Sequence, residues 1–143
     1  MKRDDALVRL SHDHQHGLAA ALALRRATAG EADAARSAFL DFWRSEGSTH
    51  FRLEEEILLP GFARHCDARS EAVARVLLDH VELRSRALAI EADSEPPLEL
   101  LHSTGELLAD HIRHEERVLF PLIEQALPQA ELVELGRALA AAH

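Results

Sequence analysis

Two histidines in this chain are each followed by a glutamate four residues later, His50 by Glu54 and His111 by Glu115. On an α-helix such residues lie about 40° apart and one turn along, so each pair presents an imidazole and a carboxylate side by side. Both pairs sit within apolar stripes. His50 and Glu54 fall between Phe42/Trp43 and Ile57, and His111 and Glu115 fall between Leu107/Leu108 and Val118/Leu122. Two further histidines occupy apolar lines of their own: His14 with Leu7, Leu10 and Leu18, and His80 with Val73, Leu77 and Ala87. A single histidine on a buried face is ordinarily a hydrogen-bonded core residue, and a lone pair of this kind is ordinarily a local ion pair. Four helices carrying such groups together are different. Uncompensated buried glutamates cost several kcal/mol each, and a bound dication removes that cost while keeping imidazoles neutral and carboxylates ionised.

Six donors, His14, His50, Glu54, His80, His111 and Glu115, overfill one tetrahedral zinc site and suit two near-octahedral ions with carboxylate bridging. Mixed imidazole and carboxylate ligation favours iron, with manganese or zinc as alternatives. The expected cofactor is a pair of iron ions joined by an oxo or hydroxo bridge. Cys66 is the lone cysteine and lies away from these positions, which argues against an iron–sulfur cluster.

The elements that must position these groups are helices. Ala, Leu, Glu and Arg dominate, while tyrosine is absent and the β-branched and aromatic residues that strands favour are scarce. Helical periodicity spans about 4–27, 33–59, 71–92 and 98–120, with a short amphipathic helix over about 130–142 as a lid on one end. In the first of these Leu7, Leu10, Leu18, Ala21 and Leu22 share a face, and Ser70 is placed to cap the third. Pro60-Gly61 is expected to break or kink the second, and Pro121 to end the fourth. Short connections imply antiparallel neighbours, hence an all-α, up-down-up-down antiparallel four-helix bundle with a short extra C-terminal helix. The 143 residues suit a single domain. The segment His50–Pro60 repeats as His111–Pro121 with six of eleven positions identical, so the chain reads as two helical hairpins related by a pseudo-two-fold.

A net charge of -9 argues against nucleic acid and anionic membrane surfaces as partners. No run approaches the length of a spanning helix, and one cysteine fits a reducing compartment, so the cytoplasm is the expected location.

The motifs Leu10-x-x-Asp13-His14, His50-x-x-x-Glu54, His80 and His111-x-x-x-Glu115 resemble the hemerythrin-like (HHE cation-binding) family from about Leu7 to Pro128. The resemblance implies a four-helix bundle with a non-haem di-iron centre held by the six residues above, the two glutamates bridging. It departs from the oxygen carriers of that family at Arg84, where they place a further histidine. Their fourth-helix carboxylate lies five residues after the histidine, the place of Glu116, which would sit about 140° from His111, so Glu115 is preferred. The ferritin-like di-iron enzymes fit less well, since they use Glu-x-x-His pairs. The implied function is binding or sensing of O2, NO or peroxide, or iron handling. The alternative is an enzyme reducing peroxide or nitric oxide, or an iron donor for repair of iron centres. A homo-oligomer is left open.

Other candidates rank lower. His12 and His16 are expected to face solvent or a neighbouring subunit, and His65, Cys66, His102 and His143 to lie off the site. His114 is a candidate flanking group, Glu46 a candidate hydrogen-bond partner for a ligand imidazole, and Arg84 a candidate neutraliser of Glu54 or Glu115, or a gate.

Overall fold

The computed structural model describes residues 2–143, and among them every regular element is helical. Helix α1 is Val8–Arg26. A turn capped by Thr28 and Glu31 leads into α2, whose α-helical parts Ala32–Phe42, Ser48–Leu53 and Leu59–Ala63 are joined without a gap by π-helical turns at Trp43–Gly47 and Glu54–Leu58. Helix α3 is Glu71–Ala92, started by the Ser70 hydroxyl accepting from the Val73 N–H. Helix α4 comprises Leu98–His114, a π-helical turn at Glu115–Leu119, and Phe120–Ala126. Pro128 precedes α5, Gln129–Ala142.

The prolines expected to interrupt α2 and α4 do not do so. Pro60 and Pro121 each lie just past a π-helical turn, where the Leu59 and Phe120 N–H groups reach back five residues to the carbonyls of Glu54 and Glu115. A proline removes one backbone donor and crowds the preceding turn, and a widened turn accommodates both effects. The extra residue also rotates everything after it. At and past these turns Leu58, Phe62, Leu119 and Ile123 are buried, and Val118 is 46% exposed.

On α1 the buried face is Leu10, Ala20, Ala21 and Leu24, whereas Leu18 and Leu22, expected to join it, are exposed. Leu77 of α3 is likewise exposed beside buried Val76. Contacts fix the neighbours. Helix α1 meets α4 through Ser11 with Glu116, Gly17 with Ile112, and His102 with the Ala27 carbonyl. It meets α2 through Asp13 with His50 and His16 with Glu46. Helix α3 meets α4 through Arg86 with Ser103 and Asp79 with His111, and meets α2 through Arg36 with the Ile90 carbonyl and His80 with Glu55. Helices α1 and α4 come close at Gly105, where a Cβ would stand 2.6 Å from the Ala21 carbonyl oxygen.

Two apolar cores result. One gathers Leu7, Leu10, Leu58, Phe62, Val76 and Leu119 under α5, which contributes Leu132, Leu135 and Leu139. The other gathers Leu24, Phe39, Leu83, Ile90, Leu101 and Ile112 toward the opposite end. Along every long helix the histidines and glutamates of interest fall between the stretches that build these two cores.

Candidate metal centre

The six residues singled out by spacing come together. His14, His50, Glu54, His80, His111 and Glu115 are all buried, the two glutamates completely. Donor atoms of His14, His50, Glu54 and Glu115 lie within 4.8 Å of one another, and so do those of Glu54, His80, His111 and Glu115. Both carboxylates therefore belong to both sets. Glu54 directs one oxygen to His80 Nε2 at 3.1 Å and the other to His50 Nε2 at 3.3 Å. Glu115 directs one oxygen to His14 Nε2 at 2.8 Å and the other to His111 Nε2 at 3.4 Å.

The second nitrogen of each ring is held by a carboxylate from a neighbouring helix. His14 Nδ1 meets Glu116 at 2.6 Å and His80 Nδ1 meets Glu55 at 2.7 Å. His50 Nδ1 meets Asp13 and His111 Nδ1 meets Asp79, both at 3.1 Å. A carboxylate accepts, so each Nδ1 carries the proton and each Nε2 is left to face the centre. The four outer links obey the pseudo-two-fold of the sequence. The residue before each ligand-position histidine of α1 and α3 reaches across to α2 and α4, and the residue after each buried glutamate reaches back.

Sequence reasoning missed these four outer carboxylates, although the duplicated Asp13-His14/Asp79-His80 and Glu54-Glu55/Glu115-Glu116 pairs were their signal. It nominated Glu46 instead, which bonds exposed His16 at 2.7 Å. His114 does not flank the centre; its Nε2 meets the Ala72 carbonyl. Arg84 touches neither buried glutamate. It pairs with Glu55 at 3.1 Å, with its guanidinium over Trp43 and Phe51. On the other side Arg3 pairs with Glu116 at 3.2 Å. Two rings stack on the imidazoles, Phe51 on His80 with centroids 3.8 Å apart and Phe120 on His14 at 5.3 Å.

The hemerythrin HHE cation binding domain matches residues 5–132. The chain belongs to that family. No curated protein and no solved structure matches it at a significant level.

The residues present fit the cations that a hemerythrin-type domain binds. Nε2 of His50, His80 and His111, both oxygens of Glu54 and one of Glu115 are buried without a hydrogen-bond partner, and all belong to the two donor sets. So many orphaned donors at one place are costly unless something electropositive satisfies them. Two shared and four outer carboxylates outnumber the guanidiniums of Arg3, Arg75 and Arg84 that pair with them, which leaves negative charge for cations to offset. Without metal, protons take that part. Burial opposes charge on the His14 ring, but Glu115 and Glu116 outweigh it and push it up to about 9. Burial likewise opposes charge on His50, which Glu54 and Asp13 hold well above its ordinary value, and on His80, which Glu54 raises. Against its own burial, Glu115 is held well below the usual carboxylate range by His111 and His14.

Proposed function

We propose that the chain, one domain over residues 1–143, binds two iron ions through His14, His50, Glu54, His80, His111 and Glu115 and uses them to bind or sense O2, NO or peroxide. The observation that carries this reading is the sharing of both buried carboxylates between two histidine pairs. One donor set alone describes a single-ion site; two sets with common glutamates describe a bridged pair. The series of contacts between neighbouring helices supports an up-down-up-down bundle around it.

When bound, a pair of redox-active ions supplies electrons and binding positions for a small oxidant. The protein's own contribution is positional. Four Nδ1–H links fix the ring tautomers and orientations, Glu54 and Glu115 neutralise charge from between the rings, and the flanking apolar cores exclude water. Two imidazoles and two carboxylates on each side would hold an ion and leave it positions that a small molecule could fill. Arg84, where the oxygen carriers have a further histidine, keeps that half-site less crowded because its guanidinium is held by Glu55.

The test is anaerobic reconstitution with ferrous iron, followed by O2 or NO while visible absorption is recorded. Two irons per chain and new bands on exposure, lost in Glu115→Gln, are expected. Unchanged spectra would remove the small-molecule reading, and sustained peroxide turnover with an electron donor would make the domain an enzyme instead.

A further inference from the structure

The four outer links are not alike. His14 and His80 meet their glutamates closely, Glu116 at 2.6 Å and Glu55 at 2.7 Å, whereas His50 and His111 meet Asp13 and Asp79 at 3.1 Å. Behind each of the two glutamates stands an arginine. Arg84 Nη2 donates to both oxygens of Glu55, each at 3.1 Å. Arg3 Nη2 donates to the Glu116 carboxylate at 3.2 Å and to the Glu116 backbone carbonyl at 2.9 Å, while its Nη1 is tied to Glu124 at 2.7 Å. Each guanidinium also lies over the phenylalanine that packs on the same imidazole. Arg84 is 5.8 Å from the centre of Phe51, which stacks on His80, and Arg3 is 5.4 Å from the centre of Phe120, which stacks on His14.

The internal repeat does not produce this likeness. The positions that correspond to Arg84 and Phe51 in the other hairpin hold Leu18 and Ile112, and those that correspond to Arg3 and Phe120 hold Arg69, which is exposed, and Leu59. The same set of arginine, glutamate, histidine and phenylalanine is thus assembled twice from positions the repeat does not relate. That sets it apart from an incidental surface ion pair, which contributes little. Both glutamates need holding. Their side chains are 30% exposed on flexible stems, so water competes with the imidazole for their oxygens. A guanidinium on the far side, itself packed on a ring, restricts each carboxylate to the position that accepts from Nδ1–H.

We propose that Arg3 and Arg84 are positioning residues for the two ions: each, braced on the phenylalanine that packs on the imidazole, holds its glutamate to the outer nitrogen of His14 or His80 and so governs how firmly that half of the centre keeps its ion. This rests on the two-ion reading above. The arginines touch none of the six donors and act through Glu116 and Glu55 alone. Each serves one half: Arg3 the His14/His50 position, Arg84 the His80/His111 position. With its glutamate released to solvent, a ring loses the acceptor that fixes its tautomer and orientation, and the ion beside it is held less tightly.

The experiment loads the full-length protein with cobalt(II) and reads two things: the loss of visible absorption on mixing with excess EDTA, and the shifted, exchangeable Nδ1–H signals in the proton NMR spectrum. In Arg84→Met, which keeps an unbranched stem and removes the guanidinium, one of the two ions should leave on the order of tenfold faster and one exchangeable signal should be lost to water. Arg3→Met should do the same with a different signal. In a Glu55→Gln background Arg84→Met should add nothing further, because it acts through that carboxylate. Release at the wild-type rate in both arginine variants, faster release of both ions with every signal changed alike, or a full additional effect of Arg84→Met on Glu55→Gln overturns the braces and leaves the two-ion centre standing. Failure of wild type to hold two cobalt ions overturns both.

Discussion

Removing the metal should make stability fall as pH rises above neutrality. In the metal-free protein His14 stays protonated to about 9 because Glu115 and Glu116 face it, whereas in the unfolded chain the ring deprotonates near 6.5. That difference corresponds to about 3 kcal/mol of stability. The sign follows from the raised folded value: the contribution is fully present below pH 6.5 and is lost as pH rises through about 9. His50 and His80 act in the same direction. The lowered carboxylates set the other edge. Glu115 and Glu116 stabilise above their unfolded value of 4.5, Asp13 above 3.8, and all three contributions fade as pH falls through their lower folded values. At roughly 3 °C per kcal/mol for a chain of this size, the chelated protein should lose about 10 °C of Tm from His14 alone between pH 6.5 and about pH 9.5. With metal bound the rings are already neutral and that loss disappears. Thermal melts by circular dichroism across this range, with chelator and with two equivalents of metal, make the comparison. A chelated Tm that is flat or rises over the interval would refute the assignment of charged imidazoles facing the buried glutamates.

Three other outcomes follow from the same geometry. Because each buried glutamate serves both donor sets, Glu54→Gln should lower metal content from two ions per chain to fewer than one, while His14→Ala should retain the His80/His111 ion; elemental analysis after gel filtration reads both. Asp79→Asn replaces the acceptor of His111 Nδ1–H and should weaken metal affinity by roughly 10- to 100-fold with the fold intact, whereas His114→Ala, whose ring faces the Ala72 carbonyl, should leave affinity unchanged in a chelator competition. Gly105→Ala drives a methyl to within 2.6 Å of the Ala21 carbonyl and should cost about 1–3 kcal/mol by forcing α1 and α4 apart, seen as a lower urea midpoint.

The paired donors were legible because the backbone from each histidine to its glutamate is regular, within Ser48–Leu53 in α2 and Leu98–His114 in α4, so spacing alone put the side chains on one face. Ile57 and Val118 were read as core, but Leu58 and Leu119, four residues after the glutamates and so closer to their face, take the place. On α1 the error has another cause. Leu18 and Leu22 are apolar by type, but alanines and Gly17 occupy the contact face, where α4 comes close. The outer carboxylates were hidden because they serve a histidine on a different helix from their own. Asp13 sits beside His14 in sequence yet is turned about 100° from it, toward α2, a relation that only the packing of helices decides.

X-ray absorption at the metal edge, with metal and protein quantified on the same sample, tests the bridged pair most directly. Two ions per chain, each with imidazole scattering and a second metal at roughly 3.5 Å, is the result that shared Glu54 and Glu115 predict. One ion per chain with no neighbouring metal would contradict it.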